Sequence, residues 1–292
     1  MAAFAFIPEI FAGEIDLRLK ETAVYKAITD GRYEGEISKF GDSVNIWTPG
    51  AVTTGEYTKN TDYTSPKQQV PDPTEVLLQI NQARYFDIFI DALDKRMGRI
   101  DPQGAYVEEA AWQHGDFLDQ LTLAQYANAH ADNKVFPTAK VTPSTILDWI
   151  DVCAERINRK SVPRNGRWMT ISPTIETMIK AAMRDRETPL GDNVALNGSI
   201  GRVGGFDVFS SNNVTVTDTL GTSAGTGSKE THMCVFGGQS AIFLAEAIPI
   251  DNMVEYFNPP ARFGVGVKGL HLFGLKVSQA GKRLGYLNAY IE

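Results

Sequence analysis

The residues able to carry chemistry here are two glycine-rich stretches, one serine turn, two cysteines and four histidines. Gly264-Val-Gly-Val-Lys-Gly269 satisfies G-x-G-x-x-G, the pattern whose backbone amides hold a pyrophosphate at a helix N-terminus. That use requires a helix to follow. Instead Leu270-His-Leu-Phe-Gly-Leu-Lys-Val277 alternates like a strand, so no nucleotide site is expected. Gly221-Thr-Ser-Ala-Gly-Thr-Gly-Ser-Lys229 has the composition of a phosphate loop but lacks Gly-Lys-Ser/Thr. Gly238-Gln-Ser240-Ala begins like a nucleophile elbow, yet Ile242 stands where the final glycine belongs.

Metal chemistry fares no better. Cys153 and Cys234, with histidines scattered at 114, 130, 232 and 271, do not form a zinc-ligand spacing, and HExxH, EF-hand and CxxC patterns are missing. Asp87, Asp91 and Asp94 fall at a helical spacing that could gather a cation; a solvated helix face is the expected reading. Cys153 sits on an apolar stripe and reads as a small core hydrophobe. The histidines have no assignable partner, so structural roles are expected. Arg156, Arg159, Lys160, Arg164 and Arg167 form a basic cluster at a helix end. It suits the helix dipole and a wet turn, or alternatively a contact with another subunit or a nucleic acid. No catalytic, metal or cofactor-binding residue is predicted. The empty search itself points to a structural protein.

Composition narrows the class. Of 292 residues, 43% are hydrophobic and 22% charged, which suits a globular chain rather than a disordered one. The net charge of −7 argues against a protein whose affinity rests on neutralising phosphates. Met1-Ala-Ala-Phe-Ala-Phe-Ile7 lacks a basic leader and is interrupted by Pro8-Glu9, so no signal peptide is expected. No apolar run nears the ~20 residues that span a bilayer. A chain folded in a reducing cytoplasm is the expectation.

The positioning elements read as follows. Residues 9–30 suggest a helix through Leu17, Val24, Tyr25 and Ile28, stopping at Asp30-Gly31. Ser43-Val-Asn-Ile-Trp47 alternates as a strand. From Gly50 to Pro73 there is no Leu, Ile, Met or Phe. Such a segment cannot offset ~1–2 kcal/mol of ordering cost per residue, which predicts an extended two-stranded arm ordered by docking on something else. Strands follow at 75–80 and 85–90. Asp101-Pro102 opens a helix through Tyr106, Ala110, Phe117, Leu121 and Ala124 to about Ala131, a rod roughly 45 Å long. Thr142-Pro143 and Ser172-Pro173 open two more helices, carrying Ile146, Ile150, Cys153 and Ile157, and Ile175, Met178, Ile179, Ala182 and Met183. Between them a turn at Asn165-Gly166 leads into a buried strand at 167–171. Thr215 to Thr231 reads as a mobile surface loop, and strands return at 232–236, 242–244 and 269–277. Strands, then helices, then strands make an α+β chain.

Several segments, in order along nearly the whole chain, carry a family resemblance. They are Pro8-Glu9-Ile10, Gly41-Asp-Ser-Val-Asn-Ile46, Gly55-Glu-Tyr57, Gln79-Ile-Asn-Gln-Ala-Arg-Tyr-Phe86, Ile171-Ser-Pro173, Leu196-Asn-Gly-Ser-Ile-Gly-Arg-Val-Gly-Gly-Phe-Asp-Val208 and Ser210-Ser-Asn-Asn213. Together they resemble the major capsid (coat) proteins of tailed phages, which share the Hong Kong 97-type fold. The resemblance implies an N-terminal arm over 1–47 and an extended β-hairpin loop over 48–76. It implies a peripheral domain with a long spine helix over 77–137, an axial domain over 138–250, and a return to the peripheral domain over 251–292. The implied function is self-assembly into pentamers and hexamers of an icosahedral head enclosing double-stranded DNA. The implied location is the virion, assembled in the host cytoplasm.

Implied partners are copies of the same chain, a separate scaffolding protein and a portal. Packaged DNA would be contacted weakly and without sequence preference, and a membrane not at all. A separate scaffold is expected because no long N-terminal extension precedes the arm. Tyr57, Lys59, Tyr63, Lys67, Arg156, Arg159, Lys160 and Arg164 are the candidate inter-subunit contacts. Covalent cross-linking, known in one branch, is not implied, since no isopeptide partner is marked for Lys59 or Lys67. The alternatives are an encapsulin-like compartment shell, a tail or decoration protein, and a cytosolic enzyme using the glycine-rich segments.

Overall fold

The structure, a computed structural model, describes residues 23–33, 42–50, 52–60, 71–92, 102–184, 200–219, 229–248, 254–259 and 263–291. Its first element is the single turn α1 (Tyr25–Ile28), which passes directly into β1 (Thr29–Asp30). The expected helix over 9–30 is therefore corrected at its end, while 9–22 lie outside the described residues. Thr29 is extended because β1 pairs in parallel with Ile242 and Phe243, and sheet pairing overrides the helical period. β2 (Ser43–Thr48) and β3 (Thr74–Gln79) pair antiparallel at the base of the arm, in register from Ser43↔Gln79 to Thr48↔Thr74; the two-stranded arm expected within 50–73 is corrected, since its described residues, 50, 52–60 and 71–73, form no strand.

β4 (Gln82–Asp91) carries Asp87 and Asp91 on a strand. At ~3.3 Å per residue they stand about 13 Å apart along it, which removes the cation reading; Asp94 lies outside the described residues. The long helix α2 (Pro102–Leu123) has 22 residues and tightens into a 3₁₀ turn over Ala124–Asn128. Its α-helical part spans roughly 33 Å, shorter than the rod expected, because Ala129 turns extended after the 3₁₀ segment.

β5 (Lys134–Val135) precedes α3 (Ile146–Arg159), β6 (Trp168–Ile171) and α4 (Pro173–Arg184). Regular helix in α3 begins at Ile146 rather than Pro143. A turn comes first, with Thr145 N–H and Ile146 N–H both donating to Thr142 O. Ser172 caps α4 as expected, its Oγ accepting from Ile175 N–H. Ile146, Ile150, Cys153 and Ile157 are fully buried along one face of α3. Each such isoleucine contributes about 1.5–3 kcal/mol of apolar burial.

The remaining strands are β7 (Arg202–Val203), β8 (Phe206–Ser210), β9 (Val216–Thr219), β10 (Lys229–Gly237), β11 (Ile242–Ile248), β12 (Val254–Phe257), β13 (Gly264–Val277) and β14 (Leu284–Tyr290). The loop expected over 215–231 is corrected. Val216–Thr219 pairs with Lys229–His232, since Val and Thr favour a pleated surface; 220–228 lie outside the described residues.

Two sheets organise these strands. β13 pairs with β4 along one edge and with β11 and β12 along the other, and β1 extends β11. The second sheet runs β5-β14-β10-β6-β8-β7, with β9 also on β10. α3 and α4 cover this second sheet through a core that includes Ile150, Ile171, Ile179, Phe206 and Phe236. α2 lies against the first sheet, where Leu118 joins Tyr25, Leu244 and Phe273. The mixed helix and sheet class agrees with the sequence reading.

Candidate functional site

Each motif that suggested chemistry has a packing explanation. A Cβ at Gly266 would lie 2.4 Å from the Phe257 ring, and one at Gly269 would lie 2.3 Å from the Phe86 ring. Phe257 and Phe86 are their cross-strand partners. The G-x-G-x-x-G run thus lies inside β13 and leaves room for two phenyl rings, with no helix after it to receive a phosphate.

Ser240 does adopt the left-handed backbone of an elbow, at φ 59°. Its hydroxyl donates to Asp30 Oδ2 at 2.5 Å and accepts from Arg32 Nη2 at 2.5 Å. Burial raises the Asp30 carboxyl, but the hydrogen bonds from Arg32 and Ser240 outweigh it and hold the pKa below the ordinary value. The trio fastens β1 to the turn between β10 and β11. Cys153 and Cys234 are both buried free thiols. Burial pushes Cys234 up to about 12 and Cys153 well above its usual value, so neither is a nucleophile at neutral pH. Among the described residues no three His, Cys, Asp or Glu side chains gather to hold a metal. None of the described helices is long and apolar enough to cross a membrane.

The basic cluster at the end of α3 is partly consumed at home. Arg159 pairs with Glu155 one turn earlier, and Lys160 pairs with Asp132 at 2.5 Å. The Lys160 ammonium holds the Asp132 carboxyl below its usual range. Arg167 is buried and ties the turn together by donating to Pro163 O, Val162 O and Asn158 Oδ1. Arg156 is half-buried. Arg164 is exposed, and its carbonyl accepts from Arg202 Nη2 at 3.2 Å. Tyr57 and Lys59 are exposed in the segment beyond β2; Tyr63 and Lys67 lie outside the described residues. The described candidate contacts therefore fall in two stretches of the chain, the segment after β2 and the end of α3.

Sequence reasoning missed two surfaces. The first is the outer face of the β2–β3 hairpin. Val76 and Leu78 point inward with Ile46, while Trp47 is 63% exposed and Leu77 48% exposed. The register Asn45↔Leu77 and Trp47↔Glu75 puts Trp47 and Leu77 diagonally on one face. The signal was present as adjacent hydrophobes, Ile46-Trp47 and Val76-Leu77-Leu78, which a one-sided strand does not need.

The second is a groove of about 600 Å³ between α2 and β4, lined by Tyr85, Tyr106, Glu109, His114 and Phe117 among others. Arg84, which also lines it, lies over the Phe117 ring, 3.3 Å from its centroid. The helix is held there by Asp119, whose Oδ1 accepts from Val24 N–H at 3.0 Å. Its Oδ2 accepts from Ser211 Oγ at 2.7 Å and Asn213 Nδ2 at 3.1 Å.

No protein-family model matches the sequence, and no curated protein is significantly similar to it. Solved structures are similar over the full length. One from Mycobacterium phage Che8 is 21% identical with a TM-score of 0.75, covering 99% of both chains. The capsid structure of cyanophage P-SCSP1u is 15% identical with a TM-score of 0.73, over 99% of this chain and 94% of that one. The capsid of Ralstonia phage GP4 is 13% identical with a TM-score of 0.72, over 100% and 98%. This chain therefore has, from end to end, the fold found in these phage capsid structures.

Proposed function

We propose that this chain is the major capsid protein of a tailed phage, with the Hong Kong 97-type fold, and that its activity is structural rather than enzymatic. The observation that carries the reading is the full-length match to the P-SCSP1u and GP4 capsid structures at TM-scores of 0.73 and 0.72. Copies assemble into pentamers and hexamers of an icosahedral head around double-stranded DNA, in the host cytoplasm. Identical chains meeting through unlike surfaces close into rings and shells when their geometry closes.

On this reading 1–47 is the N-terminal arm and 48–76 the extended loop. Residues 77–137 and 251–292 make the peripheral domain, with α2 as its spine, and 138–250 the axial domain around the capsomer centre. The hairpin arm supports the reading: the exposed Trp47 and Leu77 gain burial when a neighbour covers them. A scaffolding protein and a portal complete the assembly. The acidic chain, net −7, keeps contact with packaged DNA weak and non-specific.

Sedimentation and negative-stain imaging of the purified chain, co-expressed with its neighbouring genes, test this. Hollow particles hundreds of ångströms across are expected. A stable monomer under those conditions overturns the proposal.

A further inference from the structure

The turn that follows β13 borders a small pocket. Its volume is about 240 Å³, and Ile46 of β2, Val76 of β3 and Phe243 of β11 supply apolar walls. Arg32, Ser278 and Arg283 bring polar groups to the same space. Pockets that enclose a drug-sized molecule run from about 300 Å³ upward, so this one suits a single side-chain-sized group.

Two of those polar groups are incompletely used. Ser278 is 2% exposed, and its hydroxyl has no hydrogen-bond partner among the described residues. A hydroxyl held away from water without a partner is destabilising until a ligand supplies one. The Arg283 guanidinium donates through Nε to Gln279 Oε1 at 3.3 Å and through Nη1 to Gln239 O at 3.2 Å. Both acceptors are neutral, and Nη2 donates to no described residue. Arg32, by contrast, is paired with Asp30 at 2.6 Å.

We propose that this pocket binds one small oxyanion, a carboxylate or a phosphate group, which accepts from Ser278 Oγ and Arg283 Nη2. The charges select an anion. Arg32 and Arg283 are the Lys, Arg, Asp or Glu residues lining the pocket. Asp30 neutralises the first, and one guanidinium charge is left over. The donors are those of oxyanion recognition: the planar N–H groups of a guanidinium and a hydroxyl able to turn toward the ligand. A cation would be repelled by Arg283, and a purely apolar group would leave the Ser278 hydroxyl unanswered.

The frame is set before any ligand arrives. A 3₁₀ turn over Gln279–Gly281 lies between Ser278 and Arg283. Gly281 N–H donates to Ser278 O at 2.9 Å and Lys282 N–H to Gln279 O at 3.1 Å. Ser278 N–H is tied in turn to Ala241 O at 2.9 Å. Donors fixed in advance lose little freedom on binding. The site belongs to the single chain and does not rest on the shell reading.

Ligand-observed fluorine NMR of the full chain tests this, because it reads subunits and larger particles alike. Fluoroacetate is the carboxylate probe and monofluorophosphate the phosphate probe, both titrated at about 0.15 M salt to screen loose ion pairing. Saturable broadening of at least one probe is expected, weakened at least about tenfold by Ser278→Ala and by Arg283→Gln. Tighter binding of fluoroacetate assigns the natural ligand to carboxylates, and tighter binding of monofluorophosphate assigns it to phosphate esters. Saturation by neither probe overturns the site, as does saturation that either variant leaves unchanged. Where a variant fails to fold, the wild type decides. Trp47 lines the pocket, so in the fluorotryptophan-labelled, unassembled subunit its signal, assigned with Trp47→Phe, must shift at the same probe concentrations. An unmoved signal overturns the proposal.

Discussion

Ser211 donates a 2.7 Å hydrogen bond to Asp119 although 92 positions separate them, which fastens the C-terminal half of α2 to the turn after β8. Asp119 is 1% exposed and also serves Val24 N–H and Asn213 Nδ2. Asp119→Ala leaves Val24 N–H and the Ser211 hydroxyl buried without their acceptor. It should cost about 3 kcal/mol, read as a lower urea midpoint of the unassembled subunit. Asp119→Asn keeps an acceptor and should cost less. A change below about 0.5 kcal/mol in the alanine variant would mean that solvent replaces the network.

The Phe86 ring occupies the space that a side chain at position 269 would need. Gly269→Ala should therefore destabilise by about 1–3 kcal/mol through overpacking. Phe86→Ala removes the obstacle, so the double variant should be more stable than the sum of the single effects predicts, with a coupling of about 1 kcal/mol. Strict additivity would show that the ring moves aside without cost. The same cycle discriminates against a nucleotide role for the glycine run, which predicts lost nucleotide binding rather than a repairable packing defect.

Lys160 hydrogen-bonds to Asp132 and is the largest cause of that carboxyl's lowered pKa. Lys160→Met should return Asp132 toward its ordinary value of 3.8, observed by NMR titration of the side-chain carboxyl. The sign is that of a depressed acid: the pair is intact above pH 3.8 and is lost as pH falls through the folded-state value. In the variant that acid-side dependence should vanish. An unmoved titration would assign the shift to His130 and Arg156, the minor contributors.

Trp47 and Leu77 form an apolar patch on the open face of the hairpin, opposite Ile46 and Val76. Trp47→Ser with Leu77→Ser should change subunit stability by no more than about 0.5 kcal/mol, while sharply lowering the yield of particles in sedimentation. Deleting 52–72 should act the same way, giving a folded subunit that makes no stable shell. Normal particle yield from both variants would remove the hairpin from the assembly contacts.

The sequence determined what local patterning can determine. The isoleucine stripe at 146, 150 and 157 lies buried on α3, Ser172 caps α4, and the alternation of 270–277 forms a strand rather than a nucleotide-binding helix. Short-range periodicity and capping carry these, because each concerns residues within a turn or two of one another. The order of strands and helices gave the α+β class for the same reason. Tertiary structure decided the rest. Thr29 and Asp30 leave the helix for an edge that Ile242 and Phe243 supply more than 200 positions later. Asp87 and Asp91 lose their helical spacing because β13 pairs with them as a strand. The meeting of His114 with His271 and Glu246, and of Asp119 with Val24 and Ser211, joins positions whose separation along the chain carries no periodic signal. Such pairs come together through sheet register and helix seating, and both depend on non-local burial rather than on any one segment's preference.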